Sequence, residues 1–107
     1  MENIIEIVNK SPSKVRLIKE PVGFYVLDFG VIDASVTALL EIITPYNIKG
    51  IFSSCGCTTS QADKIAENTY SMSITYSSSH KGSFSKTVSI ELSNKLKVII
   101  KVKGTKI

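Results

Sequence analysis

From Leu96 to Lys103 the chain reads LKVIIKVK, and every second residue changes character. Leu96, Val98, Ile100 and Val102 fall on one side of an extended chain, and Lys97, Ile99, Lys101 and Lys103 on the other. A period of two is the mark of a strand with one face in a core and one in water. The same period runs through SFSKTVSIEL at 83–92, with Phe84, Val88, Ile90 and Leu92 in phase, and through YSMSITY at 70–76, with Tyr70, Met72, Ile74 and Tyr76 in phase. The connections between these three segments are too short for crossover helices, so the pattern predicts consecutive antiparallel strands.

Earlier segments extend the pattern. FYVLDFGVI at 24–32 is rich in aromatic and β-branched residues, and SVTALLEIIT at 35–44 alternates through Val36, Ala38, Leu40 and Ile42. Ala38-Leu39-Leu40-Glu41 contains good helix formers, but the flanking Val36, Thr37, Ile42, Ile43 and Thr44 are β-branched and Pro45 follows, so a strand is the better reading. NIKGIFSS at 47–54 is another strand, and NIIEIV and VRLI add one or two edge strands around Ser11-Pro12-Ser13. A single helical turn is expected at 61–66. Turn residues at Pro45-Tyr46-Asn47, His80-Lys81-Gly82 and Ser93-Asn94-Lys95 recur at the ~8–12-residue spacing of an antiparallel, immunoglobulin-like β-sandwich of about seven strands. The chain reads as one domain over 1–107, with an N-terminal edge segment at 1–20 and a sandwich core at 24–104.

Composition narrows the setting. The chain has 107 residues, 43% of them hydrophobic, enough to bury roughly 60–70% of its unfolded surface in one core. No apolar run approaches the ~18 residues of a membrane helix, and the opening MENIIEIVNKSPSK interrupts its apolar patch with Glu2 and Glu6, unlike a signal peptide. The expectation is a protein that stays where it is made. The net charge is +4, and the cations are almost all lysines. Readers of phosphate and nucleic acid favour the bidentate arginine fork, so a solvated lysine face is the simpler reading. Lysines concentrate from Lys81 onward, where Glu91 is the single acid, which suits an acidic partner surface.

The feature with chemical potential is SCGCT: Ser54, Cys55, Gly56, Cys57 and Thr58. A structural zinc site takes four ligands, typically from two cysteine pairs; here two thiols one residue apart have only the remote His80 for company. A disulfide between Cys55 and Cys57 would close a very tight, strained and reducible ring, which leaves a redox role open. The plainest reading is a compact corner: cysteine is a small, readily buried residue, and Gly56 lets the chain turn as it leaves a strand. Nucleophilic catalysis needs a nucleophile, a base and an orienting group, and the lone His80 lies in the turn-like SSSHKGS. Paired carboxylates for glycoside chemistry and a glycine-rich phosphate loop are absent from the sequence. It therefore predicts no catalytic residue, no metal, no cofactor and no enzyme. On the last strand, Lys97, Lys101 and Lys103 could grip an acidic groove or an RNA backbone, or serve as lysines that guard an open sheet face against aggregation. With no aromatic residue interleaved among them, base stacking has no support.

DFGVI at 28–32, SCGCT at 54–58 and KGSFSKTVSIELSN at 81–94, in that order and spacing, resemble the small bacterial immunoglobulin-like domains of unassigned function with an SCGCT signature. Those domains are distantly similar to ASH and major-sperm-protein sandwiches. The resemblance covers about 25–104, and the cysteine motif is its specific part. Where those domains usually carry a Pro-Gly turn, this chain has Ala66-Glu67-Asn68-Thr69, and the secretion signal of many relatives is missing. A sandwich without a catalytic set is most often a structural or adhesive module. The expected function is an auxiliary or decorating capsid protein in the virion of a tailed bacteriophage, oligomeric on the particle and contacting protein subunits rather than nucleic acid or membrane. The alternative is a protein-binding module of the bacterial envelope or cytoplasm, and a thiol redox protein ranks below both. Candidate partner contacts are Ile4, Ile5 and Ile7 in the apolar N-terminal segment, and Lys97, Lys101 and Lys103.

Overall fold

The alternating segments form two sheets packed face to face in a computed structural model that describes residues 5–11, 15–20, 24–54, 56 and 58–107. Nine strands are present among the described residues: β1 (Glu6–Asn9), β2 (Arg16–Lys19), β3 (Tyr25–Ile32), β4 (Val36–Ile43), β5 (Ile48–Ser53), β6 (Thr58–Ala66), β7 (Thr69–Tyr76), β8 (Gly82–Leu92) and β9 (Lys97–Lys106). A four-stranded sheet has the order β1-β4-β7-β6, and a five-stranded sheet the order β2-β3-β9-β8-β5. The result is an all-β, immunoglobulin-like sandwich.

The in-phase residues fill the space between the sheets. Ala38, Leu40, Ile42, Met72 and Ile74 of the four-stranded sheet meet Leu27, Phe29, Val88, Ile90, Ile100 and Val102 of the five-stranded one, all buried. At one end Phe84 closes the core, stacked on Tyr76 with ring centroids 3.8 Å apart and edge-on to Phe29 at 6.3 Å. Phe84 lies opposite Gly104 in the β8–β9 register. A Cβ on Gly104 would stand 2.7 Å from the Phe84 ring and 2.8 Å from the Gly30 carbonyl. The missing side chain is what lets the aromatic ring lie against the strand.

Five expectations need correction. The segment at 61–66 is not a helical turn: it belongs to β6, which pairs with β7 from Thr58–Tyr76 to Ala66–Thr69. Its helix-forming Gln61, Ala62 and Lys64 are overridden by that ladder. The clue was Glu67-Asn68, a two-residue turn whose Asn68 takes a φ of 61°, as tight hairpins require. With β6 and both N-terminal edge strands the count is nine rather than about seven. The three C-terminal strands are not consecutive partners, because β7 lies in the four-stranded sheet and β8 and β9 pair with each other in the five-stranded one. Nor is the sandwich purely antiparallel: β3 pairs parallel to β9, the register shifting between Asp28 and Val31, where Gly30 has a φ of 69°. Leu96, finally, precedes β9 and is 47% exposed.

Candidate functional site

The SCGCT corner carries the chain from β5, an edge of the five-stranded sheet, to β6, an edge of the four-stranded sheet. Ser54 latches the end of β5 to β8: its amide donates to the Thr87 carbonyl, and the Thr87 amide donates to its Oγ, both at 2.9 Å. Ser53 and Ser60 approach across the two strands with hydroxyls 3.5 Å apart. Gly56 is exposed at the turn and Thr58 is buried at the head of β6. Cys55 and Cys57 lie outside the described residues. Among the described residues no group of three His, Cys, Asp or Glu could hold a metal ion. His80 is exposed in the turn between β7 and β8, its amide bonded to Ser78 Oγ at 3.1 Å. Asp28 and Glu91, assigned by sequence to opposite parts of the fold, share one sheet face. They neighbour Lys103 and Lys97 in register, about 20 Å apart along β9 at strand rise.

The N-terminal candidates turn inward. β1 pairs with β4 in its own sheet, and Ile5 and Ile7 are each only 8% exposed within the core. Their side chains pack inside this sandwich. Ile4 lies outside the described residues. Across the seam from β1, Tyr25 shares a hollow with Glu6, Leu17 and Lys19. Burial, and then the Glu6 carboxylate, push its phenol above the usual range.

The lysine candidates turn outward. Lys97, Lys101 and Lys103 are exposed on the outer face of the five-stranded sheet, on its central strand. The register brings other strands' residues onto that face. Val26 neighbours Ile18 on one side and Lys101 on the other; Ile99 neighbours Ser89, which neighbours Phe52. Ile18, Val26, Ile99 and Phe52 thus form an apolar band crossing all but one of the five strands, exposed at Ile18 and at the 55% exposed ring of Phe52, half-buried at Ile99 and covered at Val26. The Lys101 ammonium sits over the Phe24 ring, 4.5 Å from its centroid, a cation–π contact that holds the charge above an apolar surface.

Charged residues rim the band. On one side Arg16 pairs with Asp28 at 3.3 Å, with Lys103 next in register; on the other, Lys97 stands opposite Glu91. The Asp28 carboxylate is held below its usual range chiefly by the Gly30 amide, which donates to it at 2.9 Å, and then by Arg16 and Lys103, against the opposing pull of burial. The outer face thus has an apolar, aromatic centre inside a rim of charged residues.

Sequence reasoning found the lysines and missed Phe24, Phe52, Ile18 and Arg16. These come from β2, from β5 and from Phe24 just before β3, and only the strand order brings them beside β9. The aromatic neighbours that seemed absent from the lysine strand belong to other strands. The available signal was phase: Phe52 is out of step with the buried-side Ile51 of its own strand.

A family model described as a protein of unknown function (DUF1573) matches residues 42–105, from the end of β4 through nearly all of β9. No curated protein and no solved structure matches the chain.

Proposed function

This chain belongs to the DUF1573 family of proteins of unknown function, and from that premise we propose that it is a non-enzymatic binding module, docking through the outer face of its five-stranded sheet as a subunit of a larger protein assembly. The observation that carries this reading is the apolar band of Ile18, Val26, Ile99 and Phe52 inside a charged rim. A solvated lysine face needs no exposed phenylalanine at its margin. A contact surface does, because burying an aromatic ring supplies much of the energy of association. The finer kinship is with the SCGCT-signature immunoglobulin-like domains, and through them with ASH and major-sperm-protein sandwiches. It rests on Ser54–Thr58, which fall inside the matched span.

The setting we propose is the shell of a tailed bacteriophage, with the domain as an auxiliary or decorating capsid protein. The alternative is a protein-binding module of the bacterial envelope or cytoplasm, using the same face. Mass spectrometry of purified virions and of host-cell fractions separates the two settings. Co-sedimentation of the protein with the particle then tests the face: Phe52→Ala should weaken binding at every salt concentration, and Lys101→Glu mainly at low salt, where charge is screened least. Undiminished binding by both folded variants would refute this docking surface.

A further inference from the structure

The outer face of the four-stranded sheet has the opposite character. Register places Glu6 and Val8 of β1, Leu39, Glu41 and Ile43 of β4, and Gln61 and Asp63 of β6 on it. Among the described residues no lysine or arginine occupies an outward position within its four strands; Lys10, exposed just past β1 with its amide bonded to the Leu39 carbonyl, is the cation at its margin. Leu39 is 42% exposed, and Ile43 is exposed as well. The molecule therefore presents carboxylates around apolar residues on one broad face. On the other it presents Arg16, Lys97, Lys101 and Lys103, against Asp28 and Glu91, around a second apolar band.

Resting on the reading of the five-stranded face as a docking surface, we propose that its partner includes a second copy of this chain, whose four-stranded face stacks on it head to tail. Charge decides the geometry. A two-fold dimer through the five-stranded face would set lysines against lysines, and one through the four-stranded face carboxylates against carboxylates. Like charges so juxtaposed are costly, whereas the unlike faces attract. Because the two faces lie on opposite sides of the sandwich, each bound pair leaves one of each kind free. Such a heterologous contact grows into rings or chains. Relief agrees: β9 raises a ridge of long side chains, and the outward residues of β7 are the short Thr69, Ser71, Ser73 and Thr75. A four-stranded face eight residues long spans about 19 by 26 Å, a footprint suited to a modest, concentration-dependent contact.

Sedimentation velocity over a concentration series tests this on the full chain. The average mass should rise beyond a dimer at low salt and fall toward the monomer at high salt. Lys101→Glu and Glu41→Lys should each weaken self-association by about tenfold or more. Mixed in equal amounts, the two variants should recover association and grow as alternating copies, since the intact faces pair with each other and the two altered faces, with charges exchanged, do so as well. The double variant should recover growth, with both charges exchanged. Asp63→Lys, at an exposed edge position, repeats the test should Glu41→Lys prove unstable. A monomeric parent at every concentration would overturn the inference and leave particle binding through the five-stranded face standing. Self-association abolished by Lys101→Glu yet indifferent to Glu41→Lys and Asp63→Lys would overturn it in favour of a two-fold contact.

Discussion

The two sheets share a core and differ in how their strands are held. In the four-stranded sheet, β4 and β7 run antiparallel in unbroken register from Val36–Tyr76 to Ile43–Thr69. The outward side of β7 is all hydroxyl, with Thr75 bonded to Thr37 at 2.8 Å. In the five-stranded sheet, β3 and β9 run parallel with a break between Asp28 and Val31, and β5 slips against β8 between Ile48 and Gly50. At the first break Gly30 takes a positive φ and turns its carbonyl toward Gly104. The four-stranded sheet has its own break at the β6 edge, between Lys64 and Ala66, but its β4–β7 centre is specified by a repeated pattern, in which any single outward residue matters little. The other depends on particular residues at particular positions, and the same sheet carries the mixed-charge, aromatic outer face.

Truncation of the core should erase the difference between them. Ile74→Ala in the four-stranded sheet and Ile100→Ala in the five-stranded sheet each remove a fully buried side chain, and each should cost about 2–5 kcal/mol in denaturant unfolding. Markedly unequal costs would mean the two sheets do not share one cooperative core. Backbone fit should restore the difference. Gly104→Ala brings a methyl group within 2.8 Å of the Gly30 carbonyl and should cost about 1–3 kcal/mol, while Ser73→Ala beside the unbroken β4–β7 register should stay within ~0.5 kcal/mol. Adding Phe84→Leu to Gly104→Ala should recover only part of the loss, because the ring can be removed and the carbonyl cannot.

The same contrast governs what could be read in the sequence. Alternation exposed β3, β4, β5, β7, β8 and β9, because an inward period of two needs no knowledge of partners. It also placed Val88, Ile90, Leu92, Ile100 and Val102 in the core, where they are. It did not reveal β6, whose strand state is imposed by β7 across the Glu67-Asn68 turn. It did not reveal that β9 lies beside β3 in parallel, a pairing of residues far apart in the chain. The candidate site was half legible for the same reason. Lys97, Lys101 and Lys103 sit on one strand and share its phase. Phe24, Phe52 and Arg16 join them only through the order β2-β3-β9-β8-β5.

The hairpin turns sharpen the comparison at smaller magnitude. Asn68, between β6 and β7, and Lys95, between β8 and β9, both have positive φ, 61° and 70°. Asparagine visits this region readily and lysine does not. Lys95→Gly should therefore stabilise the protein by up to ~1 kcal/mol, and Asn68→Gly by less. Thermal melts of the two variants beside the parent give the order directly. An equal gain at both turns would mean that side-chain strain at Lys95 is already relieved by its surroundings.

Another small effect is expected at Asp28, beside the register break. Its carboxylate accepts from the Gly30 amide and faces Arg16 and Lys103, so its folded pKa lies below the ordinary carboxylate value. A group whose pKa is depressed by folding stabilises the folded state when ionised in both states, above its unfolded pKa. That contribution is lost as pH falls through the folded value. Asp28→Asn keeps an oxygen for the Gly30 amide and removes the charge facing Arg16 and Lys103. Arg16 is 72% exposed against 18% for Asp28, so solvent screens the pair and the difference at neutral pH should be within ~1 kcal/mol. The parent should be the more stable at neutral pH, and the gap should close as pH drops through and below the ordinary carboxylate range. Urea midpoints for parent and variant, followed from neutral to acid pH, measure it. A gap unchanged across that range would show that Asp28 acts at the bend by shape and hydrogen bonding alone, with its charge contributing nothing to the fold.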